Sequence, residues 1–212
     1  MKKPTITIVI AHPEKKSFTF ALAAETIALL QREQLDYNVS DLYEEKFNPV
    51  VEGDEFTNRF SKEYFNVMNE QVYASLTDSL PADIRREHSR LDQSDLVIFH
   101  FPFWWWSVPA ILKGWFDRVL SKGYAYGDVE KLKGKRALMV ITAETTGDRF
   151  TIDGRKKHDI LYNIEEGVLG YVGMKIIPAF VAHDILRISV SERKKIIENY
   201  RAYLAQILHD NF

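Results

Sequence analysis

The sequence predicts an α/β chain: a doubly wound, five-stranded parallel sheet in the order 2-1-3-4-5, with helices on both faces. Three observations carry this expectation. Short apolar runs alternate with longer helical patterns, as βαβ units do. A chain of 212 residues, 46% hydrophobic, fits one large α/β domain, residues 1–212, with a sizeable core. Loops with the character of a nucleotide site follow the apolar runs, and five strands with such a site favour this order.

The elements follow in turn. Thr5 to Ala11 is rich in β-branched residues and reads as a buried first strand. Ser17 is placed as the N-cap of a helix running to about Arg32. Tyr37 to Leu42 alternates and reads as the second strand. From about Gly53 to Gln93 no strand pattern stands out, and this polar and aromatic excursion reads as one or two helices with loops. Leu96 to Phe101 is the third strand and Pro109 to Leu120 the next helix, with Ser107 expected to cap it and Pro109 suited to its first turn. Ala137 to Ala143 forms the fourth strand, about Asp159 to Val172 a helix closed by Gly173, and Lys175 to Val181 the fifth strand. Ser191 to about His209 is a final amphipathic helix, with Ile196, Ile197, Tyr200, Leu204, Ile207 and Leu208 on its apolar side.

Composition removes several classes of function. There are 28 Lys plus Arg against 30 Asp plus Glu. This balance argues against a nucleic-acid binder, which carries basic excess, and against an acidic electron shuttle that docks through a single-sign field. The absence of cysteine excludes disulfides, thiol catalysis and cysteine-ligated metals. No apolar stretch approaches the roughly 18 residues that span a bilayer, and no leader cleavage site is evident. A soluble, cytoplasmic protein without membrane insertion is expected. His88, His100 and His183 do not have the spacing of a metal site, and none is expected.

Chemistry-bearing residues fall on three loops that follow strands. The first is Ala11-His12-Pro13-Glu14-Lys15-Lys16-Ser17-Phe18-Thr19. No glycine precedes Gly53, so neither a dinucleotide glycine fingerprint nor a Walker loop is present. What remains is a helix N-terminus with hydroxyls from Ser17 and Thr19 and donors from His12, Lys15 and Lys16, an arrangement that binds phosphate. By pattern alone it is equally a capped helix with surface lysines.

The second loop runs from Pro102 to Val108, and three of the four tryptophans (Trp104, Trp105, Trp106) stand together there. Consecutive residues beyond a strand cannot all face one core, and a buried indole N–H needs a partner. Trp115, on the following helix, reads as core. The third loop is Ala143-Glu144-Thr145-Thr146-Gly147-Asp148, by itself a simple turn, yet placed at the same sheet edge with hydroxyls and N–H groups to offer.

The phrase Phe-Pro-x-x-Trp-x-x-Val-Pro-Ala-Ile-Leu-Lys-Gly-Trp-Phe-x-Arg-Val, spanning residues 101–119, resembles the NAD(P)H:quinone oxidoreductase family, the flavodoxin-like DT-diaphorase group with its bacterial relatives. The resemblance is dense from about Asp95 to Tyr126 and extends to most of the chain. It implies a flavodoxin-like domain and an NAD(P)H dehydrogenase (quinone), passing two electrons as hydride from NADPH or NADH through bound FAD, or alternatively FMN, to a quinone-like flat acceptor in alternating turnover.

It also implies roles for particular residues. His12, Ser17 and Phe18, with Thr19 where the family often has Asn, surround the flavin pyrophosphate. The segment Pro102, Phe103, Trp104, Trp105 and Trp106 lies against the isoalloxazine ring. Trp104 replaces a glutamine of the animal enzymes, and Trp106 stands where Phe is common. Thr145, Thr146 and Gly147, with Asp148, take the pyrimidine edge, and Arg193 lies near the adenine. Trp105, Trp106, Tyr126 and Phe150 wall the acceptor pocket, Phe150 sitting about where the family has a Tyr. Tyr126 reaches it from a partner subunit, which implies a homodimer with shared active sites. Tyr124 and Tyr126 are otherwise partly exposed loop tyrosines. His158 lies near the position of the family's proton-relaying His, or is a surface histidine in a basic stretch. Apart from the resemblance, Arg149, Arg155, Lys156 and Lys157 form a local basic cluster that reads either as a site attracting the phosphates of NAD(P)H or as a solvated charge run. A regulatory flavoprotein subunit of a potassium efflux system is the alternative reading, and a one-electron carrier the third.

Overall fold

The structure is a computed structural model and describes residues 3–148 and 157–212. Five parallel strands form one sheet: β1 (Thr5–Ile10), β2 (Asp36–Asp41), β3 (Leu96–Pro102), β4 (Arg136–Thr142) and β5 (Lys175–Ala182). Their order is β2-β1-β3-β4-β5, as expected. One row of the sheet reads Val39, Ile8, Ile98, Leu138 and Ile177. The register brings the carboxyl ends of β1, β3 and β4 to one edge. There Ala11 N–H donates to the His100 carbonyl, Phe103 N–H to Thr142 and Ala143 N–H to Ala182.

Side chains alternate between two cores because a strand repeats every two residues. Ile6, Ile8, Leu96, Ile98, Leu138 and Val140 pack with helices α1 (Phe18–Arg32) and α6 (Val190–Asn211). Val9, Val97, Phe99, Ala137, Met139 and Ile141 pack on the other face with α3 (Ala82–Gln93), α4 (Ala110–Val119) and α5 (Lys157–Ile164). β3 is buried along its whole length, since it has a neighbour on each side and a core on each face.

Most helix ends obey local chemistry. Ser17 caps α1 by accepting from Phe20 N–H, and Ser189 with Glu192 closes a capping box on α6. The expected cap at Ser107 is corrected: α4 begins after Pro109, without a side-chain cap, and Ser107 is held in the preceding turn. The helix expected from Asp159 to Val172 is also divided. α5 ends at Ile164 and a wider π turn follows over Glu165–Gly170, with Gly173 at φ +80° turning the chain toward β5.

The excursion between β2 and α3 holds a short 3-10 turn (Gly53–Glu55) and α2 (Val67–Leu76). Buried charge ties it down. The Arg118 guanidinium on α4 meets Glu55, Asp83 and the Asn48 carbonyl. The buried Glu87 carboxylate accepts from Ser40 Oγ and Trp115 Nε1, each at 2.8 Å, and from Arg90. Trp115 is therefore a core residue, as expected. Arg118 and Trp115 explain the Trp-Phe-x-Arg part of the sequence phrase: both sit on α4, where Arg118 anchors the excursion and Trp115 anchors α3. Gly114 completes that contact, for a Cβ there would lie 2.1 Å from the Pro49 carbonyl oxygen.

Among the described residues no helix is long and apolar enough to cross a membrane, and no group of His, Asp and Glu has the geometry to hold a metal.

Two expected outcomes follow. Gly114→Ala forces α4 away from Pro49 and lowers stability by about 1–3 kcal/mol in urea denaturation; an unchanged midpoint would contradict the close approach. His100, fully buried on β3, is held to about pH 3 by burial. Its folded pKa lies below the unfolded 6.5, so the unfolded chain binds the extra proton. His100 therefore contributes a loss of stability as pH falls from 6.5 toward 3, at about 1.4 kcal/mol per pH unit. H100Q removes that share of the slope, and an identical pH profile in the variant would refute this.

Candidate active site

A cleft of about 300 Å³ opens at the carboxyl edge of the sheet. Its walls bring together His12, Lys16, Ser17 and Phe18 from the first loop and the start of α1, Pro102, Phe103 and Trp104 from the second loop, and Thr142 and Glu144 from the end of β4. A fourth segment completes it, Ile185 and Leu186 between β5 and α6, with Arg193 from the first turn of α6. A larger hollow of about 400 Å³ lies at the opposite edge of the sheet, against Leu29, Leu35, Leu208 and Phe212. It has no helix N-terminus aimed into it, so the chemistry points to the cleft.

His12 is oriented by its own loop. Its Nδ1 accepts the Glu14 N–H at 3.0 Å, so the neutral ring carries its proton on Nε2. Burial pushes its pKa below the ordinary 6.5, against the opposing pull of the Glu14 charge. Glu14 in turn accepts Lys16 N–H at 2.7 Å. Together these bonds leave Lys16, the Nε2–H and the opening turn of α1 beside one another, where an anion gains both donors and the helix dipole.

Two expected donors are corrected. Lys15 pairs instead with Asp41 and with Glu44 (3.0 Å) beyond β2, and its ammonium lies over the Phe20 ring. The Thr19 side chain is only 1% exposed, and its hydroxyl bonds Thr142 Oγ1 at 2.8 Å beneath the cleft. It supports the floor rather than facing a ligand.

The tryptophan segment is a tight hairpin turn. Trp104 N–H donates to the Ser107 carbonyl at 3.1 Å and Ser107 N–H to the Trp104 carbonyl at 3.0 Å. The two central residues, Trp105 and Trp106, have φ of +50° and +58°. This is the conformation of a type I′ turn, ordinarily Asn-Gly. An L residue with a large side chain there costs roughly 1–2 kcal/mol. The surroundings hold the strain in place: Pro102 precedes the turn, Phe103 N–H is fixed to Thr142, and the Trp106 ring meets Phe103 edge-on at 6.0 Å. The result is a pair of exposed indoles next to the cleft-lining Trp104. Trp105 is 97% exposed, Trp106 is 45% exposed, and neither lines the cleft itself.

The third loop is fastened to the fourth segment. Asp184 N–H donates to the Thr145 carbonyl and Ile185 N–H to the Ala143 carbonyl, each at 3.2 Å. The His183 ring lies 3.7 Å from where a Gly147 Cβ would stand. Thr145, Thr146, Gly147 and Asp148 thus sit beside the cleft, past Glu144, and do not line it. Arg193 lines it and donates to the Ile185 carbonyl at 2.8 Å.

Tyr126 lies elsewhere, in a pocket of about 190 Å³ with Phe116 and Tyr171, whose ring is 5.6 Å away. Tyr124, expected to be partly exposed, is buried instead. It stacks on His88 at 3.5 Å and donates to Asp92 at 3.0 Å. Phe150, Arg149, Arg155 and Lys156 lie outside the described residues, and of His158 only the backbone, in the first turn of α5, is described. Ile185 and Leu186 escaped the sequence reading. Their signal was the run Ile185-Leu186-Arg187-Ile188 just before the capping box, apolar residues that a strand had already left behind.

Cleft, anion-ready helix start and doubly wound sheet define an α/β protein of the nucleotide-cofactor class. The chain belongs to the family described as Flavodoxin-like fold, which it matches over residues 4–208. It is 35% identical over 211 residues to the ribosyldihydronicotinamide dehydrogenase [quinone] of Homo sapiens, covering 95% of this chain and 91% of that protein. It is 31% identical over 212 residues to the NAD(P)H dehydrogenase [quinone] 1 of Rattus norvegicus, covering 96% and 77%. The structure is similar to the crystal structure of a candidate quinone reductase from Klebsiella pneumoniae, with a TM-score of 0.92 and 29% identity over 97% of this chain and 85% of that one.

Trp105→Gly relieves the strained turn and is expected to raise stability by about 1 kcal/mol in urea denaturation while lowering acceptor turnover. No gain in stability would show that the turn holds no strain; full turnover would remove the indole from the site.

Proposed function

We propose that this chain is a flavin-dependent NAD(P)H dehydrogenase that moves two electrons, as hydride, from NAD(P)H to quinones or similar flat acceptors. The observation that carries the reading is the cleft at the carboxyl edge of β1, β3 and β4, in a chain similar to dehydrogenases named for quinone over nearly all of its length. Bound flavin supplies the hydride chemistry; the protein supplies placement, electrostatics and exclusion of water. The cleft's donors fit such a group. Lys16, the His12 Nε2–H and the start of α1 suit a pyrophosphate, and the aromatic second loop suits a flat ring.

Within this reading the cofactor is FAD rather than FMN. The cleft continues past the phosphate donors to Phe18, Ile185 and Leu186, an apolar shelf with Arg193 at its end, which gives an adenine somewhere to lie. Thr145 to Asp148 offer N–H groups and hydroxyls to the polar edge of the ring from beside the cleft. The acceptor stacks against Trp105 and Trp106, whose exposure in one chain leaves their outer faces for it.

Tyr126, remote from the cleft, reaches that acceptor from a second copy, so the working form is a homodimer, and the cytoplasm is its place of work. Phe150 adds to the acceptor wall, and His158, at the opening of α5, relays the proton that quinone reduction consumes. No specific observation favours a regulatory subunit over this enzyme.

The purified chain is expected to be yellow, to release FAD on denaturation as identified by chromatography, and to reduce quinones with parallel double-reciprocal plots against NAD(P)H. A colourless chain that takes up neither FAD nor FMN overturns the reading, and uptake of FMN alone overturns the choice of FAD.

A further inference from the structure

Two aromatic rings meet at a tilt where the first and second loops come together. The centroids of His12 and Trp104 are 5.9 Å apart with their planes at 54°, and both line the cleft. The His12 ring is fixed on one side by Glu14 N–H at Nδ1 and has only Nε2–H left to offer. An indole brings one N–H and a broad apolar face, whereas the glutamine of the animal enzymes at this position brings an amide that itself donates and accepts. With Trp at 104, polar recognition at this corner passes to the imidazole, and the indole lies beside it as its aromatic neighbour.

We infer that Trp104 is a positioning residue for His12: the indole packed against the imidazole holds that ring so that its Nε2–H points into the cleft as a neutral donor to the phosphate of a bound dinucleotide. The identity of the ligand rests on the function proposed above; the pairing of the rings does not. The charged groups sharing the cleft with His12 are Lys16 from the start of α1, Glu144 from the third loop and Arg193 from α6, with Glu14 on its own loop. The tryptophan turn brings none. Desolvation is the largest influence on the imidazole, and it favours the neutral form. A donor that stays neutral through physiological pH binds a phosphate without changing strength as the pH moves, which a free histidine near 6.5 does not.

The test follows the His12 ring by nitrogen NMR in the full-length chain, first free of flavin and then with FAD added. In the unaltered protein a single Nε2–H tautomer and a titration midpoint below 6.5 are expected. In W104Q the midpoint climbs toward 6.5 and the single tautomer is lost, while W104F keeps both features. FAD binding weakens about tenfold in W104Q and becomes dependent on pH near 6.5, but weakens no further when the same change is made in an H12Q background. W104L gives the same two readouts, in the same direction, where W104Q fails to fold. The proposal is overturned if the His12 titration and tautomer are unmoved in these variants, or if the loss of FAD affinity is equal with and without His12. Because the titration is read without flavin, failure of the chain to bind any flavin would sink the proposed function and leave this measurement standing.

Discussion

The parallel register of the sheet is the constraint on which the rest depends. Pairing Ile8 with Ile98 and Ile98 with Leu138 sets three strands level, so their chains leave the sheet at one edge. The loops beginning at Ala11, Phe103 and Ala143 are thereby brought together at that edge. Each is tied back to the ladder by a backbone hydrogen bond one residue past the strand pairing. A site built on such loops inherits the rigidity of a sheet buried on both faces.

That rigidity is what makes the strained turn at Trp105 and Trp106 sustainable. Two bulky residues in the left-handed region would relax if the turn were free, yet its entry is fixed by Pro102 and Thr142 and its exit by the start of α4. α4 is itself held by Glu87 on Trp115 and by Glu55 and Asp83 on Arg118. Buried charges of this kind contribute little net stability, but losing one partner is costly, so they specify one arrangement of the excursion against α4. The long segment between β2 and β3 thus serves the site indirectly, by bracing the helix that follows the tryptophans.

The cleft carries few charges: Lys16, Glu144 and Arg193 line it. His12 is kept neutral by burial, Lys15 is occupied by Asp41 and Glu44, and Lys16 with the α1 N-terminus remain to meet an anion. The start of α1 adds unpaired backbone N–H groups to these few charges, in keeping with the nearly balanced composition.

Much of this was legible in the chain itself. Strands appeared as apolar β-branched runs, because burial on both faces demands such residues, and Ser17 announced the start of α1 because an open helix end needs an oxygen acceptor. Even the burial of Thr19 had a signal: with Leu22, Ala23, Thr26, Leu29 and Leu30 it lies on the helix stripe that faces the sheet. Periodicity and capping are local, so the sequence by itself determined the strands, most of the helices, their order and the edge at which the cleft opens. Partners distant in the chain were decided only by the tertiary structure: Lys15 turning to Asp41, Arg118 drawing Glu55 and Asp83 together, Ile185 and Leu186 closing the cleft. The left-handed pose of Trp105 and Trp106 belongs with them. Intrinsic preference opposes it, and only the hydrogen bonds and packing of the folded chain outweigh that preference.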